Sequence, residues 1–545
     1  MMLKRIELSQ KAELEKIFEY ESSRSADFCF GNIYMWDGLY NQEIAVIGER
    51  LITAFRRNSD IFFAFPVGKG ALKPAFDFME AYCAEKSIPL RISGITEEHR
   101  KLMQEEFSGK FIYKKERNYS DYLYEIDALS SYPGKALHAK RNYCNRFESQ
   151  YKDNWRFEPI TKELIPACIA MLDEWLGENA DRLSFGIGNE HDALLRGFES
   201  FEALGLFGGI LFANDKPVGF SVGELISPTC FCAHFEKAFP DIQGAYPMVC
   251  REMAKLVKTV YPSVHYVNRE DDIGIPELRK SKLSYKPSEI LIKYTARASS
   301  AEIRPYKPED IPQLSALWLE CFGDEEPLIS EFFRLLPEMG DCIVAAMENE
   351  IIGMCNALHF SHGTYIYAVG VKEEYRSNGI GAALMDYCKI NYVNLCTLPS
   401  EDSLYAWYGQ TLGTKNLNFC RYEHADAAYG ESEIAELSCA EYAKLREEIL
   451  AGTPHASFPA AWYEFQHYIC KSCGGGMFRS GNSIVCGYIE NGVLQIKEAL
   501  GNRDFIHCLC SALGVEHARV RIFAENGDNF LAENTEIPLF NLALD

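Results

Sequence analysis

Val369-Gly370-Val371-Lys372-Glu373-Glu374-Tyr375-Arg376-Ser377-Asn378-Gly379-Ile380-Gly381-Ala382 is the stretch on which the fold turns. A strand-like apolar run ends at Val371, and Arg-x-x-Gly-x-Gly then opens an apolar-faced helix. The first N–H groups of a helix have no internal partner, and its dipole favours an anion there. Glycines at 379 and 381 let the backbone approach a ligand with no β-carbon in the way. Such a loop suits a pyrophosphate. It lacks the Lys-Ser/Thr of a P-loop and is not spaced Gly-x-Gly-x-x-Gly, so nucleotide hydrolysis and dinucleotide binding are disfavoured.

Around this loop the pattern predicts a helix over 308–321 and strands over 341–347, 351–360 and 365–371. The loop helix runs to about 391, with a strand over 393–398 and a short helix over 402–410 after it. The order recurs in 204–290, with strands over 206–213, 217–225, 229–236 and 264–268, a helix from Ala245 and a helix near 275–282. Shorter versions are read in 44–106 and 475–523. The small polar run after Tyr294 and a second shift at 424–434 mark boundaries. The expected class is α/β (α+β layered), with repeated modules whose central mixed sheets are flanked by helices. The expected domains are 1–297 (two modules, split near 155), 301–428 and 431–545, the last without a motif of its own.

The 303–425 region resembles the GNAT acyltransferases, through Arg376-x-x-Gly379-x-Gly381 and through Pro399 to Gly413, which is similar to the family segment ending Tyr-x-x-x-x-Gly-Phe. The aromatic usual after Gly413 is Thr414 here. The resemblance implies that Arg376, Ser377, Asn378, Gly379, Ile380, Gly381 and Ala382 hold the pyrophosphate of acetyl-CoA. It also implies that Val369 and Val371 pair with the pantetheine arm, and that Tyr408 is the general acid. An amine attacking a thioester needs a base; Glu373, Glu374, His359 and His362 are candidates, and Glu373 is carried with Tyr408 as catalytic. CoA is the expected product, and no metal is expected.

The first block holds a basic helix with Lys135, Lys140, Arg141 and Arg146. It also holds Gly223-Glu224, His234-x-Glu236-Lys237, Gly244-Ala245-Tyr246 and Asn268-Arg269-Glu270-Asp271-Asp272. His234 and Glu236 alternate along a strand, and Asn268 and Arg269 end one, where α/β proteins often place sites. Together these residues resemble uncharacterised bacterial proteins related to the C-terminal domain of phosphatidylglycerol lysyltransferases. That likeness covers about 1–295 and implies tandem GNAT-like modules, as in Fem-type transferases that use aminoacyl-tRNA. The basic residues would meet a phosphate-bearing ligand, and Glu236, Asn268 and Arg269 would line a pocket with His234. The membrane-spanning half of the lysyltransferases has no counterpart here, and the Gln243-Gly244-Ala245 loop keeps only one glycine of the CoA pattern.

The whole chain of 545 residues has a formal charge of −23. Residues 301–545 hold 16 Lys+Arg against 35 Asp+Glu, a net of −19, and residues 1–300 are near balance at −4. The acidic half opposes nonspecific nucleic-acid binding; the other half does not. The 19 scattered cysteines, the lack of an apolar signal core and the lack of a run long enough to span a bilayer point to a cytoplasmic protein. Cys470-x-x-Cys473 has no second pair at zinc-finger spacing. Three readings follow. The first is acetyl transfer from acetyl-CoA to a small-molecule or peptide amine. The second is aminoacyl transfer from charged tRNA by the N-terminal half. The third is a CoA-binding sensor or scaffold without turnover. The acceptor and the oligomeric state are not written in the sequence.

Overall fold

The helix after the glycine loop runs Ile380–Asn391 and buries Ile380, Leu384, Met385 and Cys388, one apolar stripe at helical spacing. It packs on a sheet ordered Glu302–Pro305, Gly340–Met347, Glu350–Phe360, Gly363–Val371, Leu395–Cys396. Every neighbouring pair is antiparallel except the last, which is parallel. A parallel pair needs a crossover, and the helix supplies it. The helices Ile311–Phe322 and Glu326–Met339 also pack on this sheet. The second of them is absent from the sequence reading. Pro337 sits inside it and argues locally against a helix, although buried Ile329, Phe332, Phe333, Leu336 and Met339 recur at helical spacing.

The structure is a computed structural model that describes residues 2–57, 59–178, 187–298, 301–399, 401–413, 420–430, 432–453 and 455–523. It is mixed α/β, with four mixed sheets flanked by helices, and divides into units Met1–Ser300 and Ala301–Asp545. All four sheets repeat one plan: an antiparallel ribbon, then a helix, then a strand parallel to the ribbon's last member. In the first unit the parallel steps join Asp60–Ala64 to Arg91–Ile95 and Cys230–Ala238 to Tyr266–Asn268. In the last sheet Val493–Leu500 lies parallel to His517–Phe523.

The joints between sheets differ from the sequence reading. The chain leaves the first sheet after Phe111–Lys115 and enters the second at Asp121–Glu125, well before 155. Tyr294–Ala298, whose small polar residues read as linker, is a strand between Arg91–Ile95 and Phe111–Lys115. The two crossing segments touch: Glu116 N–H donates to Lys293 O (2.8 Å), and Lys293 N–H to Ser120 Oγ (3.2 Å). Cys420–Asp426 pairs with His517–Phe523, so the last sheet begins ahead of 428. Among the described residues no helix is long and apolar enough to cross a membrane. Cys470 is buried with its sulfur 3.6 Å from Cys486 Sγ, whereas Cys473 is exposed, so the Cys-x-x-Cys pair does not converge.

Candidate functional site

The Gly363–Val371 strand pairs with Leu395–Cys396 only at Thr364 and Tyr365, then continues alone on that side for six residues. The sequence reading had the neighbour at 393–398; its shortness is what opens the sheet. Opposite, pairing with Glu350–Phe360 slips between Met354 and Asn356, and Ala368 takes a left-handed φ of 46°. A bulge of this kind bends a strand and increases its twist. The result is a strand edge with backbone groups on offer beside Val369, ending in the glycine loop. Val371 is partly engaged already: its carbonyl accepts from Arg376 Nε at 3.1 Å.

Past Val371 a short turn, Glu373–Tyr375, leads into the loop, where Ser377 (φ 65°) and Gly379 (φ 76°) are both left-handed. Asn378 Nδ2 braces the turn by donating to Tyr375 O at 2.7 Å. Ala383 is the first residue whose N–H is taken up by the helix, by Gly379 O. The N–H groups of Ile380, Gly381 and Ala382 precede that bond at the helix mouth. The two glycines act differently. Around Gly379 a β-carbon would meet nothing within 4 Å, so its requirement is the left-handed φ. A β-carbon on Gly381 would lie 3.1 Å from the Trp407 ring, so this glycine lets the Asp402–Leu412 helix pack.

Tyr408, on that helix, is buried, and burial pushes its phenol up to about 12. It shares a hydrogen bond with Thr397, whose hydroxyl donates to Ile366 O at 3.0 Å. The phenol therefore stands where the strands part. Glu373 does not join it. About 16 Å of strand separates Ile366 from Val371 at 3.3 Å per residue, and Glu373 lies beyond, exposed, with its N–H donating to Glu320 at 2.7 Å. Glu374 shares that turn. His359 and His362 are exposed at the opposite end of the strand, in a groove with Tyr392 and Asn394. Thr397 was missed in the sequence, where one threonine in an apolar run carries no signal. Thr414 lies outside the described residues.

In the first unit the predicted pocket residues fall into linked groups. Pairing of Cys230–Ala238 with Lys216–Ser227 skips His234, which is a bulged residue facing Gly223 and Val222, so simple alternation with Glu236 fails there. His234 bonds Glu224 through Nε2 (3.0 Å) and Glu270 through Nδ1 (2.7 Å). Burial opposes its charge, but the sulfurs of Cys232 and Cys29 and the Glu224 carboxylate raise its pKa. Glu236 pairs with Arg269 at 2.7 Å. Asn268 Nδ2 donates to Arg24 O and to Asp121 Oδ2, at 2.7 and 2.9 Å.

The basic helix, observed as His138–Tyr151, does not present one cationic face. Lys140 turns inward, 3.6 Å from the Tyr285 ring centre, and burial with help from Arg269 lowers its ammonium to about 8. Arg141 donates to Tyr132 O and Gly134 O, closing the turn before the helix. Lys135 and Arg146 are the exposed pair. Lys293, which the sequence reading missed, shares Asp121 with Asn268 and is buried between Asp121 (2.7 Å) and Asp27 (2.9 Å). A lone lysine in the apolar Ile290-Leu291-Ile292-Lys293-Tyr294 run is a signal that a buried charge needs partners.

Residues 308–395 match the acetyltransferase (GNAT) family, and residues 19–297 match the family described as phosphatidylglycerol lysyltransferase, C-terminal. A conserved protein of unknown function from Bacteroides thetaiotaomicron is 35% identical, with a TM-score of 0.52, over 55% of this chain and 99% of that one. The C-terminal domain of a putative lysylphosphatidylglycerol synthetase from Agrobacterium fabrum is 13% identical, with a TM-score of 0.40, over 54% of this chain and 93% of that one. An uncharacterized protein of Mycoplasmoides gallisepticum is 24% identical over 185 residues, 33% of this chain. The match spans only 56% of that curated relative's length. With half of its length matched by one of those two families, the chain belongs to the phosphatidylglycerol lysyltransferase C-terminal family and carries a GNAT module after that domain.

Proposed function

We propose that the module spanning about 301–428 transfers an acetyl group from acetyl-CoA to a primary amine. The observation that carries this reading is the parting of the Gly363–Val371 and Leu395–Cys396 strands above a left-handed loop and helix mouth. A pantetheine arm can add to the free strand edge while N–H groups at 380–382 meet the pyrophosphate. The amine nitrogen, having lost its proton to a base or water, attacks the thioester carbonyl carbon. Strand N–H groups stabilise the oxyanion. The carbon–sulfur bond then breaks, and Tyr408, protonated because its phenol is raised, gives its proton to the departing thiolate. The surplus proton on the attacking nitrogen leaves through solvent and restores the Tyr408 phenol, and the products are an amide and CoA. Titration calorimetry with acetyl-CoA tests the reading: wild type binds, and Gly379→Glu, which sets a carboxylate in the helix mouth, does not. No binding by the wild type ends it.

Aminoacyl transfer from charged tRNA by the first unit is the second reading, favoured by exposed Lys135 and Arg146 on either side of inward-turned Lys140 in the chain. Its test is transfer of a labelled aminoacyl group to a small acceptor. Acetyl-CoA binding without thiol release across a panel of amines would instead favour a sensor. The free cysteines suit a reducing cytoplasm.

A further inference from the structure

We propose that Cys29, Glu224 and His234 bind a divalent transition-metal ion, with zinc the best match to the donor set. One ligand atom from each of the three lies within 4.8 Å of the other two, and all three residues are buried. Thiolate, imidazole and carboxylate together select zinc over magnesium or calcium, which take oxygen ligands. Neither the acyl-transfer loop nor Tyr408 takes part in this cluster, so the inference stands apart from the proposed reaction.

Two features favour a metal over a proton held between carboxylates. The first is the outer partner. A metal-bound histidine usually gives its other N–H to a carboxylate, which fixes the ring. His234 meets Glu224 with Nε2 and keeps Nδ1 for Glu270 at 2.7 Å. The second is the backbone. Cys29 is the N-cap of the helix Phe30–Met35, and Gly31 follows within its first turn. A β-carbon on Gly31 would sit 2.2 Å from Glu224 Oε1, so only glycine admits the carboxylate beside the thiol. A second group, Cys232, His234 and Glu270, uses the same imidazole, but Glu270 is only half-buried there and serves better as the outer partner.

The full chain, stripped with chelator, is titrated with Co²⁺. The expected result is one tightly bound ion per chain with thiolate-to-cobalt charge-transfer absorption, displaced by Zn²⁺. Cys29→Ser should remove the charge-transfer band, and Cys473→Ser, which changes the exposed cysteine, should leave it. Glu270→Gln should weaken binding by about 10–100-fold without abolishing it, as expected of an outer partner. Zn²⁺ should also raise the thermal midpoint of the stripped wild type, a readout that needs no variant. A band that survives Cys29→Ser, or a midpoint indifferent to Zn²⁺, overturns the proposal.

Discussion

Tyr408 and Lys140 are single residues whose surroundings set their chemistry. With its phenol held near 12 by burial, Tyr408 stays protonated through the neutral range. Tyr408→Phe should lower turnover by about ten- to ten-thousand-fold, the range for a lost acid–base group. The remaining rate should still rise with pH as the acceptor amine loses its proton; unchanged turnover in a steady-state assay rejects the role. Lys140, lowered to about 8, is largely neutral by pH 9, whereas an ordinary lysine is not. Trace acetic anhydride labelling, read by mass spectrometry against pH, should show a Lys140 midpoint near 8. A midpoint near 10.5 would contradict the inward orientation. Part of this scale was legible: residue type and spacing place the glycine loop at a helix mouth, while the role proposed for Tyr408 comes from the family resemblance. Glu373 was not, because distance along a strand decides whether two side chains share a reaction centre. The differing duties of Gly379 and Gly381 also depend on what lies across from them, and sequence does not record Trp407 at that spot.

Elements were legible chiefly where a loop or turn signal marked their start, whereas Glu326–Met339, with a clean period but Pro337 inside it, was not. The helix Ile380–Asn391 follows from the glycine loop that opens it and the apolar pattern after it. The short strand at Leu395–Cys396 was overestimated, since apolar residues at 393–398 permit a strand that tertiary geometry cuts off. Ala368 offers a test of the bulge. At a φ of 46° a β-branched side chain is strained, so Ala368→Val should cost about 1–3 kcal/mol in denaturant unfolding. Ala368→Gly accepts the conformation and should stay within about 1 kcal/mol of wild type. Equal destabilisation by both would mean that packing, not backbone conformation, governs the site.

For the whole molecule, the reaction proposed above would set an anionic CoA on the −19 half of the chain. Local N–H groups and Arg376 must hold it against that field, so acetyl-CoA affinity should vary less with added salt than for a site built on a basic patch. The way the sheets are joined was not legible. Periodicity reports which residues form a strand, not which strand they lie beside, and Tyr294–Ala298 pairs with residues about 200 positions earlier. This predicts that a fragment 1–155 fails to fold, whereas 1–300 melts in one cooperative transition by circular dichroism. A cooperative melt from 1–155 would show that the first sheet stands without its returning strand.

That returning strand also sets a schedule for synthesis. Once Lys115 has left the ribosome, the edges of Arg91–Ile95 and Phe111–Lys115 wait for a partner about 180 residues away. At roughly 5–20 residues per second that is on the order of 10–35 s. For that time the nascent chain carries two unpaired β-edges, the kind of surface that invites association with another chain. Crowded expression should therefore harm this protein during its making, before any question of the stability of the finished fold.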